Sequence, residues 1–220
     1  MSIGEQRPLI WTAGQSKEYW GGEIKKLDSV EGMIAAENCW NPYHVVSAEV
    51  VSFIHNSIPL VEDGLVTVDY GCWSGKWTRD LIDISSNIIN VDMYEESEKC
   101  ISMRHGDYAR AKDCTMEYYV TSGNELKGLA NCSVDYIFSM DSIVRSSTGI
   151  ISDLSREFNR VLKPGGTCLL NVYVERAKSE LAEFSGTWQK KSSFCAEYFN
   201  PRTHLIGPNR TSSCYVVLEK

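Results

Sequence analysis

Hydrophobic and polar positions switch between two periods along most of the chain, and the switches mark its elements. Leu65-Val-Thr-Val-Asp-Tyr70 is a short apolar run of the kind a buried strand needs, and Gly71-Cys-Trp-Ser-Gly75 after it reads as a turn. Residues 76–84 then read as a helix and 87–92 as a second strand, which completes a strand, helix, strand unit. The alternation continues with a helix at 95–104, a strand at 114–120, a short helical stretch after Asn124 and a strand at 133–140. Ile150, Ile151, Leu154, Phe158, Val161 and Leu162 share one helical face, and Lys163-Pro-Gly-Gly166 stops that helix. A fifth strand at 167–173 and a helix at 175–184 follow, then strand-like runs at 194–206 and 214–218. Residues 207–213 between those runs are too few for a crossover helix, so the last strands are expected to pair antiparallel.

Ahead of this alternation the pattern is helical from 19 to 57, with Asn41 as a cap, Pro42 at the first helical position, and Val46, Val50, Phe53 and Ile54 on one face. The first ~18 residues show no sustained period and read as a loose arm. The sequence therefore predicts an α/β fold: a seven-stranded, mostly parallel sheet with helices on both faces, a reversed last strand and an N-terminal helical extension. Residues 1–60 form the arm and a helical lid in this reading, and 61–220 form one compact unit.

Composition agrees with a single folded domain: 220 residues, 43% hydrophobic and 23% charged. A net charge of -7 is the wrong sign for tracking phosphate backbones or anionic lipid, so neither nucleic acid nor a membrane surface is expected as a partner. No apolar run approaches the ~20 residues of a membrane span, and the start lacks a secretory pattern; a cytoplasmic protein is expected. The 8 cysteines stand singly with no Cys-x-x-Cys pair, which predicts neither zinc nor redox chemistry and makes Cys114, Cys168 and Cys214 small buried hydrophobes. His44, His55, His105 and His204 are scattered, so no metal site is expected. Nucleophile-elbow and triphosphate-binding loop patterns are missing.

In open α/β sheets the ligand lies beyond the carboxyl ends of the strands, which directs attention to the loop after the first strand. Gly71 and Gly75 let its backbone turn tightly, since a Cβ at either point would collide with a ligand or forbid the dihedral angles. Asp92 closes the second strand about 20 residues on, where a carboxylate can accept hydrogen bonds from a ribose diol. A nucleoside ligand is expected. The dinucleotide fingerprint fits poorly, because Trp73 and Lys76 occupy its second and third glycine positions.

These residues resemble the class I S-adenosylmethionine-dependent methyltransferase family of the small-molecule type. Its first motif, an acid followed by G-x-G-x-G, reads here Asp69-x-Gly71-x-Trp73-x-Gly75, with tryptophan for the middle glycine. Asn90-Val-Asp-Met93, Thr121-Ser-Gly-Asn-Glu-Leu126, Ser133-Val-Asp-Tyr-Ile-Phe-Ser-Met-Asp141 and Asn159-Arg-Val-Leu-Lys-Pro-Gly-Gly166 follow in the family's order. The resemblance implies transfer of a methyl group from S-adenosyl-L-methionine to an oxygen or nitrogen of a small-molecule acceptor. It implies that Asp69, Gly71, Cys72, Trp73 and Gly75 line the methionine part of the donor, that Asp92 holds the ribose and that Met93 packs on adenine. Gly123, Asn124 and Glu125 would recognise the adenine edge, and Ser139 and Met140 would flank the methyl group. Asp141 is the expected contact or base for the acceptor. Trp20 and His44 of the lid, Arg145 and Tyr173 are the expected acceptor contacts; Arg145 stands where relatives often carry a histidine, and it can anchor a carboxylate or phosphate. The alternatives are a catalytically silent binding protein of the same fold and a nicotinamide-dinucleotide oxidoreductase.

Overall fold

The computed structural model describes residues 48–59, 64–144, 146–173, 188–198 and 211–220. In chain order the elements are α1 (Ala48–Ser57), β1 (Leu65–Tyr70), α2 (Thr78–Ile82), β2 (Ser85–Asp92), α3 (Glu96–Ala111), β3 (Thr115–Val120), β4 (Val134–Ser139), α4 (Thr148–Val161), β5 (Leu162–Tyr173), β6 (Gln189–Tyr198) and β7 (Thr211–Glu219). The strands pair into one 7-stranded sheet in the order β3-β2-β1-β4-β5-β7-β6. β1 pairs in parallel with β2 and β4, β2 with β3, and β4 with β5. β7 runs antiparallel to both its neighbours, β5 and β6, so it alone opposes the common direction.

Alternation along each strand sorts the apolar residues onto two faces. One face carries Val68, Tyr70, Val91, Ile137, Leu170 and Val216, and Ile151, Leu154, Phe158 and Val161 of α4 pack onto it. Phe158 meets Tyr70 edge-on, with ring centroids 5.2 Å apart and planes at 74°. The other face carries Leu65, Ile88, Phe138, Leu169 and Tyr215, covered by Leu81 and Ile82 of α2, Ala109 of α3 and Ile54 of α1. Each such side chain contributes about 1.5–3 kcal/mol on burial. Cys114, Cys168 and Cys214 are buried among them, as expected of small hydrophobes.

Several boundaries differ from the sequence reading. The stretch after Asn124 forms turns, not a helix, because its backbone groups are taken by α4: Leu126 N–H donates to Glu157 Oε2 at 2.8 Å, and the guanidinium of Arg160 donates to the Leu126 and Leu129 carbonyls. α3 continues past Arg104, since His105, Gly106 and Ala109 extend its buried stripe. β6 starts at Gln189 rather than near 194; its first residues, Gln189 to Ser193, are polar and exposed, so its strand character comes from pairing with β7. α4 passes directly into β5 at Leu162, whose backbone is already extended (φ -65, ψ 140), and proline at 164 disfavours helix at the residue before it. The helix expected at 175–184 and the helical pattern from 19 to 47 lie outside the described residues. Among the described residues no helix is long and apolar enough to cross a membrane.

Candidate functional site

The winding reverses between β1 and β4, which are neighbours whose connections leave toward opposite edges of the sheet. The carboxyl ends of these two strands bring together Asp69, Gly71, Cys72, Trp73, Gly75, Ser139, Met140 and Asp141, with Asp92 and Met93 beside them at the end of β2. Most of the residues singled out in the sequence thus converge at one place, the position where open sheets bind ligands.

The loop after β1 alternates through the left-handed region, with φ of 74° at Gly71, 44° at Trp73 and 80° at Gly75. Gly71 N–H donates to the Val91 carbonyl at 2.8 Å, and Gly75 N–H donates to the Cys72 carbonyl at 2.8 Å. A Cβ on Gly71 would sit 2.1 Å from the Cβ of Ser142, and one on Gly75 would sit 3.0 Å from the ring of His105. The steric part of the expectation therefore changes: these glycines admit protein neighbours, and the space they clear belongs to Ser142 and His105. Trp73 stands in the left-handed region, at a cost of about 1–2 kcal/mol for an L-residue there.

Asp92 is 6% exposed, and its carboxylate is held by backbone donors: Trp73 N–H to Oδ2 and Met93 N–H to Oδ1, each at 2.7 Å, with the backbone of Tyr94 as a further one. Burial pushes its carboxyl up to about 6 against those bonds. Asp69, also buried, accepts from Thr78 Oγ1 at 2.8 Å, which ties β1 to the first residue of α2. Burial raises Asp69 to about 7, with the Thr78 bond opposing and the charge of Asp92 adding to the rise. Cys72 is buried beside both carboxylates, and burial first, then their charges, push its thiol well above the usual range. It stays protonated and is no nucleophile.

Gly123 lies close to the glycine loop: Tyr70, the residue before Gly71, donates its hydroxyl to the Gly123 carbonyl at 2.9 Å. Asn124 reaches Asp153 of α4 at 3.0 Å, and the carboxylate of Glu125 pairs with Lys127 at 2.5 Å. After β4, the hydroxyls of Ser139 and Ser142 are 2.7 Å apart. Asp141 is exposed with φ 58° and is bonded to Asn171 of β5. Tyr173 ends β5, but its side chain, like Trp20, His44 and Arg145 altogether, lies outside the described residues.

Several residues of the site were not singled out from the sequence. Asn171 carried a signal, as a polar residue inside the apolar run Leu169-Leu-Asn-Val172. Ser142, Arg104 and His105 carried none, because Ser142 lies in a loop without pattern and the partners of the other two are 30 residues away, and Thr78 bonds to Asp69 across a turn whose geometry the pattern does not give. Among the described residues no group of three or more His, Cys, Asp or Glu is placed to hold a metal ion.

A family model described as a methyltransferase domain matches residues 68–170. Phosphoethanolamine N-methyltransferase 3 of Arabidopsis thaliana is 27% identical over 165 residues, which are 75% of this chain and 30% of that protein. The chain spans 30% of the length of the curated relatives it matches. Among solved structures, the S-adenosylmethionine-dependent methyltransferase from Mesorhizobium loti has a TM-score of 0.58 at 16% identity over 80% of this chain and 99% of that one. The [4+2]-cyclase SpnF has a TM-score of 0.71 at 14% identity over 98% of this chain and 99% of that one. At these identities both structures speak for the fold.

Proposed function

We propose, because residues 68–170 match a methyltransferase-domain family model and carry the motifs that resemble the class I S-adenosylmethionine-dependent family, that the chain moves a methyl group from S-adenosyl-L-methionine to an oxygen or nitrogen of a small-molecule acceptor. The observation that carries the proposal is the bond from Trp73 N–H to Asp92 Oδ2, which joins the acid at the end of β2 and the glycine loop into one unit at the reversal of the sheet. The residues fit such a donor. The Asp92 carboxylate accepts backbone N–H groups of Trp73, Met93 and Tyr94, and its remaining acceptor site is the one a ribose hydroxyl would use.

In this reading Asp92 accepts from the ribose, the loop from Asp69 to Gly75 lies along the methionine part, and Met93 packs against adenine. Gly123, Asn124 and Glu125 border the adenine edge. Bound there, the donor supplies a methyl group on a positively charged sulfur, whose C–S bond breaks as the acceptor's lone pair takes the carbon, leaving S-adenosylhomocysteine. Ser139 and Met140 flank the reacting carbon and keep water away, and alignment is the main service a protein gives such a displacement. Asp141 takes the acceptor's proton where one must leave. Trp20, His44, Arg145 and Tyr173 contact the acceptor.

The acidity of the chain and the name of the Arabidopsis relative, an N-methyltransferase of a small amine, support a small acceptor over nucleic acid or membrane. Calorimetric titration with S-adenosylmethionine, S-adenosylhomocysteine and the nicotinamide dinucleotides tests the donor. The two adenosyl sulfur compounds are expected to bind, the dinucleotides are not, and Asp92→Ala is expected to weaken the first pair. A ligand at ~100 times its Kd stabilises a one-site protein by about 2.7 kcal/mol.

A second reading, a protein of this fold that transfers no methyl group, is favoured by the likeness to SpnF, which is named a cyclase and aligns with 98% of this chain. Labelled methyl appearing in any member of an amine and hydroxyl acceptor panel decides against it.

A further inference from the structure

The strained loop after β1 is held from two sides by groups of opposite polarity. On one side Asp92 takes the amide of Trp73. On the other side α3 presents two consecutive basic residues to the next two carbonyls: Arg104 Nη1 donates to Ser74 O at 2.5 Å, and His105 Nε2 lies 2.8 Å from Gly75 O. A carbonyl can only accept, so the ring proton of His105 is on Nε2. His105 is 6% exposed, and its ring fills the space a Cβ at position 75 would need. Ile101, one turn earlier on α3 and 1% exposed, closes the same space. Three successive residues of the loop, 73 to 75, therefore each have a backbone polar group taken by a side chain from elsewhere.

That arrangement matters because Trp73 lacks the conformational freedom of glycine. A loop that adopts its ligand-ready form only part of the time binds more weakly by that fraction. We propose that Arg104 and His105 are positioning residues that hold residues 73–75 in the donor-ready conformation before the donor arrives, compensating for tryptophan at a left-handed position. The inference rests on the reading of this loop as the donor site. Neither residue need touch the donor, and both act through the carbonyls they engage.

The test uses S-adenosylhomocysteine as probe, calorimetry for affinity, and hydrogen exchange of the amides of residues 72–76 in the ligand-free chain. His105→Leu keeps volume and removes the donor; His105→Gln keeps an N–H at similar reach; Arg104→Met removes the other donor. The leucine and methionine variants are expected to bind at least about tenfold more weakly and to exchange their loop amides faster, while circular dichroism melts stay cooperative. The glutamine variant is expected to stay within about threefold of the wild type. Wild-type affinity in the leucine variant overturns the inference, and so does an equal loss in leucine and glutamine variants, which would make the imidazole a filler of space. A wild-type chain that does not bind S-adenosylhomocysteine overturns the reading of the function instead. In that case unchanged exchange in His105→Leu would overturn the clamp as well, and faster exchange would uphold it as a device that holds the loop.

Discussion

Asp141 and Asn171 exchange two hydrogen bonds, Asp141 N–H to Asn171 Oδ1 and Asn171 Nδ2 to Asp141 Oδ1, both at 2.8 Å. The asparagine is fully buried on β5, while the aspartate is exposed at the end of β4 with φ 58°. A rigid strand thus dictates both the backbone and the carboxylate orientation of a loop residue. The amide N–H₂ can donate only to an accepting oxygen, so Asn171 fixes which oxygen of Asp141 faces β5.

Asn171→Leu should therefore destabilise the chain by about 1–3 kcal/mol through the lost pair, read as a fall of several degrees in Tm. Asn171→Asp should cost more at pH 7, because it buries a second carboxylate against Asp141, and the deficit should shrink toward pH 5 as the pair shares a proton. A Tm deficit for Asn171→Asp that does not change with pH would mean the two carboxyls are not in contact.

The glycines separate backbone strain from crowding. Gly71 and Gly165 have nearly the same φ, 74° and 78°, but a Cβ meets Ser142 at 2.1 Å at position 71 and nothing within 4 Å at position 165. Gly165→Ala should cost about 1 kcal/mol, the backbone contribution alone. Gly71→Ala should cost about 3 kcal/mol or more, since Ser142 is itself bonded to Ser139. Urea denaturation of the two variants checks this, and equal losses would refute the crowding by Ser142.

The local rules that made β1, β2, β4 and α4 legible are those of burial: Val68, Val91, Ile137 and Phe158 announce their elements because packing demands apolar residues at a fixed period. The same rules fail where structure comes from pairing or distant contact. Gln189 to Ser193 carry no apolar period, yet β7 recruits them as an edge strand. α3 runs past Arg104 on a stripe containing His105 and Gly106, which hydrophobicity does not count as buried. In the site, the placement of Asp69, Asp92 and Asp141 followed from topology alone. The purpose of Gly71 and Gly75 did not, since Ser142 and His105 reach them from other parts of the chain.

Two arginines on α4 test what holds the turn region after β3. Arg160 donates to both oxygens of Glu157, to the carbonyls of Leu126 and Leu129 and to Asn131 Oδ1, all at 2.8–2.9 Å. Arg156 pairs on the surface with Asp153, with 70% of its side chain exposed. Arg160→Ala should cost about 2 kcal/mol or more and weaken binding of S-adenosylhomocysteine by loosening residues 123–126. Arg156→Ala should cost less than about 1 kcal/mol and leave binding unchanged. Equal effects would show that α4 does not anchor this region.

Asp69 and Asp92 give stability and donor binding opposite dependences on pH. Burial holds their carboxyls at about 7 and about 6 in the folded chain, above the ordinary 3.8, so the native state keeps protons that the unfolded chain releases between those values. Their contribution to stability is therefore full below about pH 4 and is lost as pH rises through 6 and 7. Asp83, Glu125 and Glu157 are held below the ordinary range, by Lys112, Lys127 and Arg160 in turn, and their contributions fall away only below about pH 4.5. Between pH 8 and 5.5 the ligand-free chain should thus gain Tm, and Asp69→Asn with Asp92→Asn should flatten the curve. Donor binding asks the reverse of Asp92, because the ionised carboxylate keeps an acceptor site for a ribose hydroxyl beside its backbone donors while protonation turns one oxygen into a donor. The Tm increment produced by S-adenosylhomocysteine should accordingly shrink as pH falls through about 6. An increment constant from pH 8 to 5.5 would remove the Asp92 carboxylate from the ribose site.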